Sequence, residues 1–396
     1  MPIFPNVIAN NHKSVRVREK TNVGGVFMKK LLAIVLTLAL CALAAVPALA
    51  NFAPVPQDEI KVGFIYITDP GDGGYTFTHH QGTLYMQQEL GLRDDQLIIK
   101  SNISEDDACR TAILECIQQG ANIIFANSYG YMDYMEEMAE EYPDVIFSHC
   151  SGYKSNDTNF NNYFGRIYQS RFLTGLAAGL RTESNKIGYV AAFPIPEVIG
   201  GADAFALGVK VVNPDATVTI KYTNTWYDPT VERQAAEALL DAGCDVIGQH
   251  QDTSNPQKAA EDRGVWGVGY NADMTAAAPD AHLTAPVWFW GVYVKEAVQQ
   301  VIDGAWTPEN SFMGMAEGLV GISPLSKNVV DGTAEIIEAY RALIMSGEFD
   351  VFDATGVFAD GIYDNEGNLV IEPGARYDVP QITSMMWYLD TITVDN

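Results

Sequence analysis

Short apolar runs alternate with longer amphipathic ones along most of the chain, beginning at Lys61–Gly82, KVGFIYITDPGDGGYTFTHHQG. Val62, Phe64, Ile65 and Ile67 form a β-branched and aromatic run that reads as a buried parallel strand. Thr68–Gly74 places Asp, Pro and glycines in a turn, and Thr76 to Leu90 reads as an amphipathic helix. The phrase then repeats. Gln96–Lys100, Asn122–Ala126 and Val145–Ser148 read as strands, separated by helices over Glu105–Gln119 and Met132–Glu140. Ala108, Ala112, Ile113 and Cys116 form the inward face of the first of those helices. Phe164–Leu180 reads as a helix whose Gly175, Ala177, Ala178 and Gly179 allow close packing.

A second series opens at Lys186–Ala191 (KIGYVA), which echoes Lys61–Ile65 (KVGFI). Helix Val198–Val212, strand Thr217–Tyr222 and helix Val231–Ala242 follow, the last with Glu232, Arg233 and Glu237 outward. Apolar runs at Val246–Gly248, Val265–Gly269 and His282–Val287 complete the series. Two successive series predict an α/β protein of two similar doubly wound parallel-sheet lobes with a hinge. The first lobe is expected over 58–172 and 288–325, the second over 173–287 and 326–396, with a return crossing near Trp288–Trp290. Beyond Gly304 the pattern thins to a helix over Val329–Ser346 and a hairpin over Gly361–Glu372, turning at Asn365-Glu366-Gly367.

The first fifty residues read differently. Met28-Lys29-Lys30 opens a positive segment, Leu31–Val46 is an apolar core and Ala48-Leu49-Ala50 is a small-x-small cleavage site. Residues 28–50 are therefore expected to be a secretory signal, and 1–27 an upstream extension. Leu40 before Cys41 does not suit lipid attachment, so the expected product is released rather than anchored. Cleavage after Ala50 leaves 18 basic and 49 acidic residues, a net charge of −31. So acidic an exported chain is soluble and a poor partner for nucleic acid or anionic lipid. Cys109, Cys116, Cys150 and Cys244 remain; they contain no CxxC and no Cys/His cluster, and read as buried thiols.

Ligands of open α/β sheets bind outside the carboxyl ends of the strands, and a cleft between two such lobes is a favoured site. Those strand ends carry Tyr75, Tyr129, Tyr153, Phe193, Trp226, Tyr227, Tyr270, Trp288 and Trp290. Tyr153, Tyr227 and Trp288 read as core or lobe-packing residues. Interleaved are Asp69, Asn127, Ser128, Glu197, Asp228, His250, Asp252, Asn271 and Asp273. Flat apolar faces with a few polar groups suit a planar heteroaromatic or a sugar. One good aromatic contact adds about 0.5–1.5 kcal/mol beyond burial, and micromolar binding needs about −8 kcal/mol in all.

Enzyme signatures are missing. Gly71-Asp72-Gly73-Gly74 is not G-x-G-x-x-G, and the neighbouring side chains of His79 and His80 diverge on a helix. A secreted hydrolase using Asp252 or Asp273 stays open as an alternative, and it would need a nucleophile or metal that the sequence does not display. A DNA-binding repressor on this fold would carry a helix-turn-helix where the secretory signal stands.

The phrases NSYGYMD (Asn127–Asp133), NKIGYVAAFPIPEVIGG (Asn185–Gly201, with PEVI at Pro196–Ile199), NTWYDP (Asn224–Pro229) and WGVY (Trp290–Tyr293) resemble the basic membrane protein family of ABC-transporter solute-binding proteins. The resemblance runs from Lys61 to about Trp306 and more loosely to Trp387. It implies a type I periplasmic-binding fold with two lobes joined by three crossings. It also implies a purine ligand, an ABC permease as partner, a monomer and no cofactor. The phrase Gly74–His79 is similar to that of the branch that takes free bases such as adenine. By position, Tyr75 matches the family's ring-stacking aromatic, Ser128 and Tyr129 its second loop, and Trp226 its opposing-lobe aromatic. Asp273 and Trp290 match its hinge-side positions. Tyr75 for Trp, Phe77 for Tyr, His80 for an acid and Val292 for Pro are departures. The strand-end reading and the resemblance together give the candidate ligand set Tyr75, Asn127, Ser128, Tyr129, Phe193, Glu197, Trp226, His250, Asp252, Asn271, Asp273 and Trp290. A sensor subunit for another solute such as a sugar would present the same sequence features.

Overall fold

The computed structural model describes residues 52–395, and the expected leader and the extension ahead of it lie outside them. The first series runs β1 (Val62–Ile65), α1 (Tyr75–Leu90), β2 (Leu97–Lys100), α2 (Asp107–Gln118), β3 (Ile123–Ala126), α3 (Met132–Glu141), β4 (Ile146–Cys150) and β5 (Phe160–Gly165). The second runs α4 (Ile167–Arg181), β6 (Lys186–Ala191), α5 (Pro196–Val212), β7 (Thr217–Tyr222), α6 (Pro229–Asp241), β8 (Val246–His250), α7 (Asn255–Asp262) and β9 (Trp266–Gly267). The remainder is β10 (Pro286–Trp288), α8 (Gly291–Asp303), β11 (Ser311–Met313), β12 (Val320–Ile322), α9 (Thr333–Ser346), the hairpin β13 (Ile362–Tyr363) and β14 (Leu369–Ile371), α10 (Val379–Thr383) and β15 (Ile392–Asp395).

Two separate sheets result, each wholly parallel. One has the order β11-β5-β4-β3-β1-β2 and the other β15-β7-β6-β8-β9. Reversal of strand order beside β1 and beside β6 makes each a doubly wound lobe with its switch point at the opening strand. Between the sheets, β10 and β12 pair antiparallel, Val287 facing Gly321. The chain passes from one sheet to the other after β5, at β10 and at β12.

Burial follows the apolar pattern. Val62, Ile65, Ile123, Ile124, Ile187, Val190, Val246 and Ile247 are all fully buried, as strands covered on both faces require. The small residues of α4 let it press against α5. A Cβ on Gly175 would lie 2.1 Å from the carbonyl oxygen of Phe205, and one on Gly208 2.1 Å from that of Phe172. On α2 the buried stripe is Cys109, Ala112, Ile113 and Cys116, so Cys109 takes the place expected for Ala108. All four described cysteines are free and buried.

The structure has elements that the sequence pattern does not predict: α8, β11, β12, α10 and β15, and within the two series β5 and α7. FNNYFG forms strand β5, where the helical pattern was extended back to Phe164. Its two asparagines hide the strand. Asn161 is buried because its amide donates to the hydroxyl of Tyr293 at 2.8 Å and to the carbonyl of Glu309 at 2.9 Å. Helix α7 was not anticipated, because its sequence NPQKAAED has too few large apolar residues to show a helical stripe. Glu232, expected outward, is buried and accepts from the amide and hydroxyl of Thr253 at 3.1 and 2.6 Å. No helix among the described residues is long and apolar enough to cross a membrane.

Candidate functional site

A narrow cavity lies where the carboxyl ends of the two sheets face each other. Tyr75, Asn127, Ser128, Tyr129, Glu197, Trp226, His250 and Asp252 line it, with Ile67, Ser151 and Tyr270. Apart from His250, the last residue of β8, every lining residue lies on a loop that leaves a strand or on the first turn of the helix that follows.

The first lobe's wall is held by local hydrogen bonds. Asp72 accepts from the backbone amides of Gly74, Thr76 and Phe77 at 2.8, 3.1 and 2.9 Å, and from the hydroxyl of Thr68 at 2.6 Å. A carboxylate there satisfies the free amides that begin α1. Tyr75 follows directly. Its ring stands edge-on over His79, centroids 4.6 Å apart, and its hydroxyl lies 3.2 Å from the Cys150 sulfur. Asn127 accepts from the amide of Ile67 at 3.0 Å, while its own Nδ2 is buried and has no protein partner. Ser128 donates to Glu105 at 2.6 Å, and Glu105 also accepts from the amide of Gly130 at 2.7 Å. Ser151, after β4, takes the left-handed conformation with φ 72°.

From the second lobe come Trp226, whose ring meets Phe193 at 5.0 Å and 64°, and Glu197 in the first turn of α5. Glu197 Oε1 lies 3.7 Å from His250 Nε2, and its Oε2 has no protein partner. Burial pushes the Glu197 carboxyl up to about 8, offset in part by Arg171. Arg171 is itself buried, donating from Nη1 to the Gln249 carbonyl at 2.5 Å, with its guanidinium 3.7 Å above the Tyr270 ring. Burial, with Arg171 adding to it, holds the His250 imidazole well below its ordinary range. Asp252 is raised well above the carboxylate range by burial, then by Asp72 and Glu232; it accepts from the Asn271 amide at 3.0 Å. The cavity therefore presents two carboxyl groups raised above their ordinary range, an imidazole held below its own and an amide, with no Lys or Arg on its surface. It can hold a small uncharged molecule between rings and give it several hydrogen bonds.

The remaining candidates stand behind or away from that surface. Phe193 backs Trp226, and Asn271 backs Asp252. Asp273 does not line the cavity: half-exposed, it caps Thr275 at 2.9 Å and lies 3.8 Å from His282. Trp290 is fully buried between His79, at 4.3 Å and 12°, and Trp288, at 4.1 Å and 17°. It belongs to the hinge core, because α8 begins at Gly291 and packs along α1. Trp288 is buried as expected, whereas Tyr153 and Tyr227 are exposed at 69% and 40%. Ile67, which the apolar pattern assigns to the first strand, lies past the end of β1 and lines the cavity, and Ser151 joins it there with no signal of its own. Carrying β4 through His149 and Cys150 would have put Ser151 at a strand end. Among the described residues no three His, Cys, Asp or Glu side chains are arranged to hold a metal.

The family model for ABC transporter substrate-binding proteins of the PnrA-like type (Bmp) matches residues 59–355. A purine-binding protein of Brucella abortus is 36% identical over 333 residues, covering 84% of this chain and 93% of the relative. A protein of Haloferax volcanii, provisionally named an ABC transporter glucose-binding protein, is 36% identical over 300 residues, covering 76% of this chain and 75% of its own. Among solved structures, a solute-binding protein of an ABC transporter system from Aeropyrum pernix superposes with a TM-score of 0.65 at 19% identity, over 74% of this chain and 92% of that one.

Proposed function

The chain belongs to the Bmp family of PnrA-like ABC transporter substrate-binding proteins, and on that premise we propose that it captures an uncharged purine base, adenine-like, or its nucleoside, and delivers it to a membrane permease. As a family of carriers it works outside the cytoplasm and performs no chemistry on its cargo. The leader, in this reading, is cleaved after Ala50, and the released chain acts as a monomer.

The observation that carries the purine reading is the buried Glu197, whose Oε2 has no protein partner, in a cavity with Tyr75 and Trp226; burial raises its carboxyl to about 8 and so favours the protonated acid. A protonated carboxyl offers a hydroxyl donor beside a carbonyl acceptor. That pair complements an adenine edge, where an N–H donor sits beside a ring-nitrogen acceptor. Asn127 adds a buried N–H without a protein partner. The lack of a basic lining residue disfavours phosphorylated ligands. The purine-binding relative from Brucella supports the same assignment.

Binding is a population shift. An open form admits the base to Tyr75 and the Asn127–Tyr129 loop; the second lobe then swings about β10 and β12 and brings up Trp226 and Glu197. The permease recognises the shut form. A sugar is the second reading, favoured by the Haloferax relative at equal identity and by the mix of rings and carboxyls. A thermal-shift panel of bases, nucleosides and sugars separates the two. A ligand at 100 times its dissociation constant adds about 2.7 kcal/mol of stability. Purines alone should raise the melting temperature; a rise with sugars alone overturns the purine assignment.

A further inference from the structure

A second, larger compartment of about 540 Å³ lies beside the cavity, also between the lobes, and opens in part to solvent. Tyr129, Ser151 and Glu197 line both spaces, so these three side chains stand at the boundary between them. Phe164 and Phe312 form one wall of the compartment, Ile167 and Ile195 another, and Val379 and Ile382 of α10 a third. The third wall lies beyond the residues matched by the family model, so it is supplied by the chain's own last segment.

We infer that the ligand is a purine base carrying an uncharged apolar substituent, with the base in the cavity and the substituent in this compartment, an inference that rests on the purine reading above. Three features choose the substituent. No Lys or Arg lines the compartment, which leaves a phosphate without a counter-charge. Its amides are already engaged: Asn162 Nδ2 donates to the His149 carbonyl at 3.2 Å, while Asn310 donates to Ser155 at 3.1 Å and accepts from the Asn162 amide at 2.8 Å. Those side-chain N–H groups are therefore not free for a ribose. The phenylalanine, isoleucine and valine side chains instead reward an apolar group in proportion to the area they remove from water.

Calorimetric titration of the purified protein, cleared of co-purified ligand, with adenine, adenosine, 6-benzylaminopurine and 9-benzyladenine tests this. The two benzylated bases carry the apolar group on different edges of the ring. At least one of them should bind tenfold or more tightly than adenine and adenosine. Val379→Glu and Ser384→Trp, both at exposed positions on the compartment's wall, should abolish that gain while leaving adenine affinity within about twofold. Adenine binding without a gain for either benzylated base overturns the inference and spares the purine reading. A gain that survives both substitutions overturns it too, and failure of every purine to bind overturns both.

Discussion

Gly74 and Asp252 meet backbone to backbone across the cleft: a Cβ built on Gly74 would lie 1.9 Å from the carbonyl oxygen of Asp252. Gly74 begins α1 in the first lobe, and Asp252 follows β8 in the second. The absence of a side chain is what lets the two lobes shut to this distance. Gly74→Ala should therefore hold the lobes apart. Overpacking costs about 1–3 kcal/mol, so ligand affinity should fall roughly tenfold or more. The melting temperature without ligand should stay close to that of the parent, because the open form bears no clash. Calorimetry with paired thermal denaturation checks both halves.

Trp226→Ala should lower affinity well over tenfold and leave the fold intact. The ring is only partly buried in the second lobe and packs on Phe193, so its loss removes ligand contact and little core. Unchanged affinity would remove Trp226 from the site.

Affinity should also depend on pH through Glu197. Its carboxyl is raised in the shut form from an ordinary 4.5 to about 8. A group whose pKa rises on closure takes up a proton as the cleft shuts. Closure is thus fully favoured below about 4.5 and loses that advantage as pH climbs through about 8. Asp252, also raised, works in the same direction. Binding should weaken between pH 6 and pH 9, by at most about tenfold per pH unit for one proton, and Glu197→Gln should flatten the profile. Titrations across that range in one ionic strength give the answer; tighter binding at high pH would contradict it.

Much of this was legible in the chain, and the omissions have physical causes. Val62–Ile65 and Lys186–Ala191 are central strands buried on both faces, so β-branched and aromatic residues mark them clearly. The candidate site residues that follow such strands, Tyr75, Asn127 and Ser128, line the cavity as the strand-end rule predicts. Strand β5 could not, because its burial depends on Asn161 finding the hydroxyl of Tyr293, 132 residues away. Trp290 misled for a related reason. A tryptophan before glycine at a strand end looks like a ligand platform, yet stacking on His79 and Trp288 turns it into hinge core. Such partners are fixed only by the tertiary fold.

Stability should be sensitive where α4 and α5 touch. Gly175→Ala places a methyl group against the Phe205 carbonyl, and both helices are buried along that face. A loss of about 1–3 kcal/mol, or a few degrees in melting temperature, is expected. The folded fraction should bind ligand normally, as a scan with and without ligand will reveal.

The most direct measurement is native mass spectrometry of the protein as it leaves the cell, followed by identification of what it releases on denaturation. A single small molecule of purine mass, unaltered after prolonged incubation, is the predicted result. A bound sugar, or a guest converted to product on standing, would contradict the account.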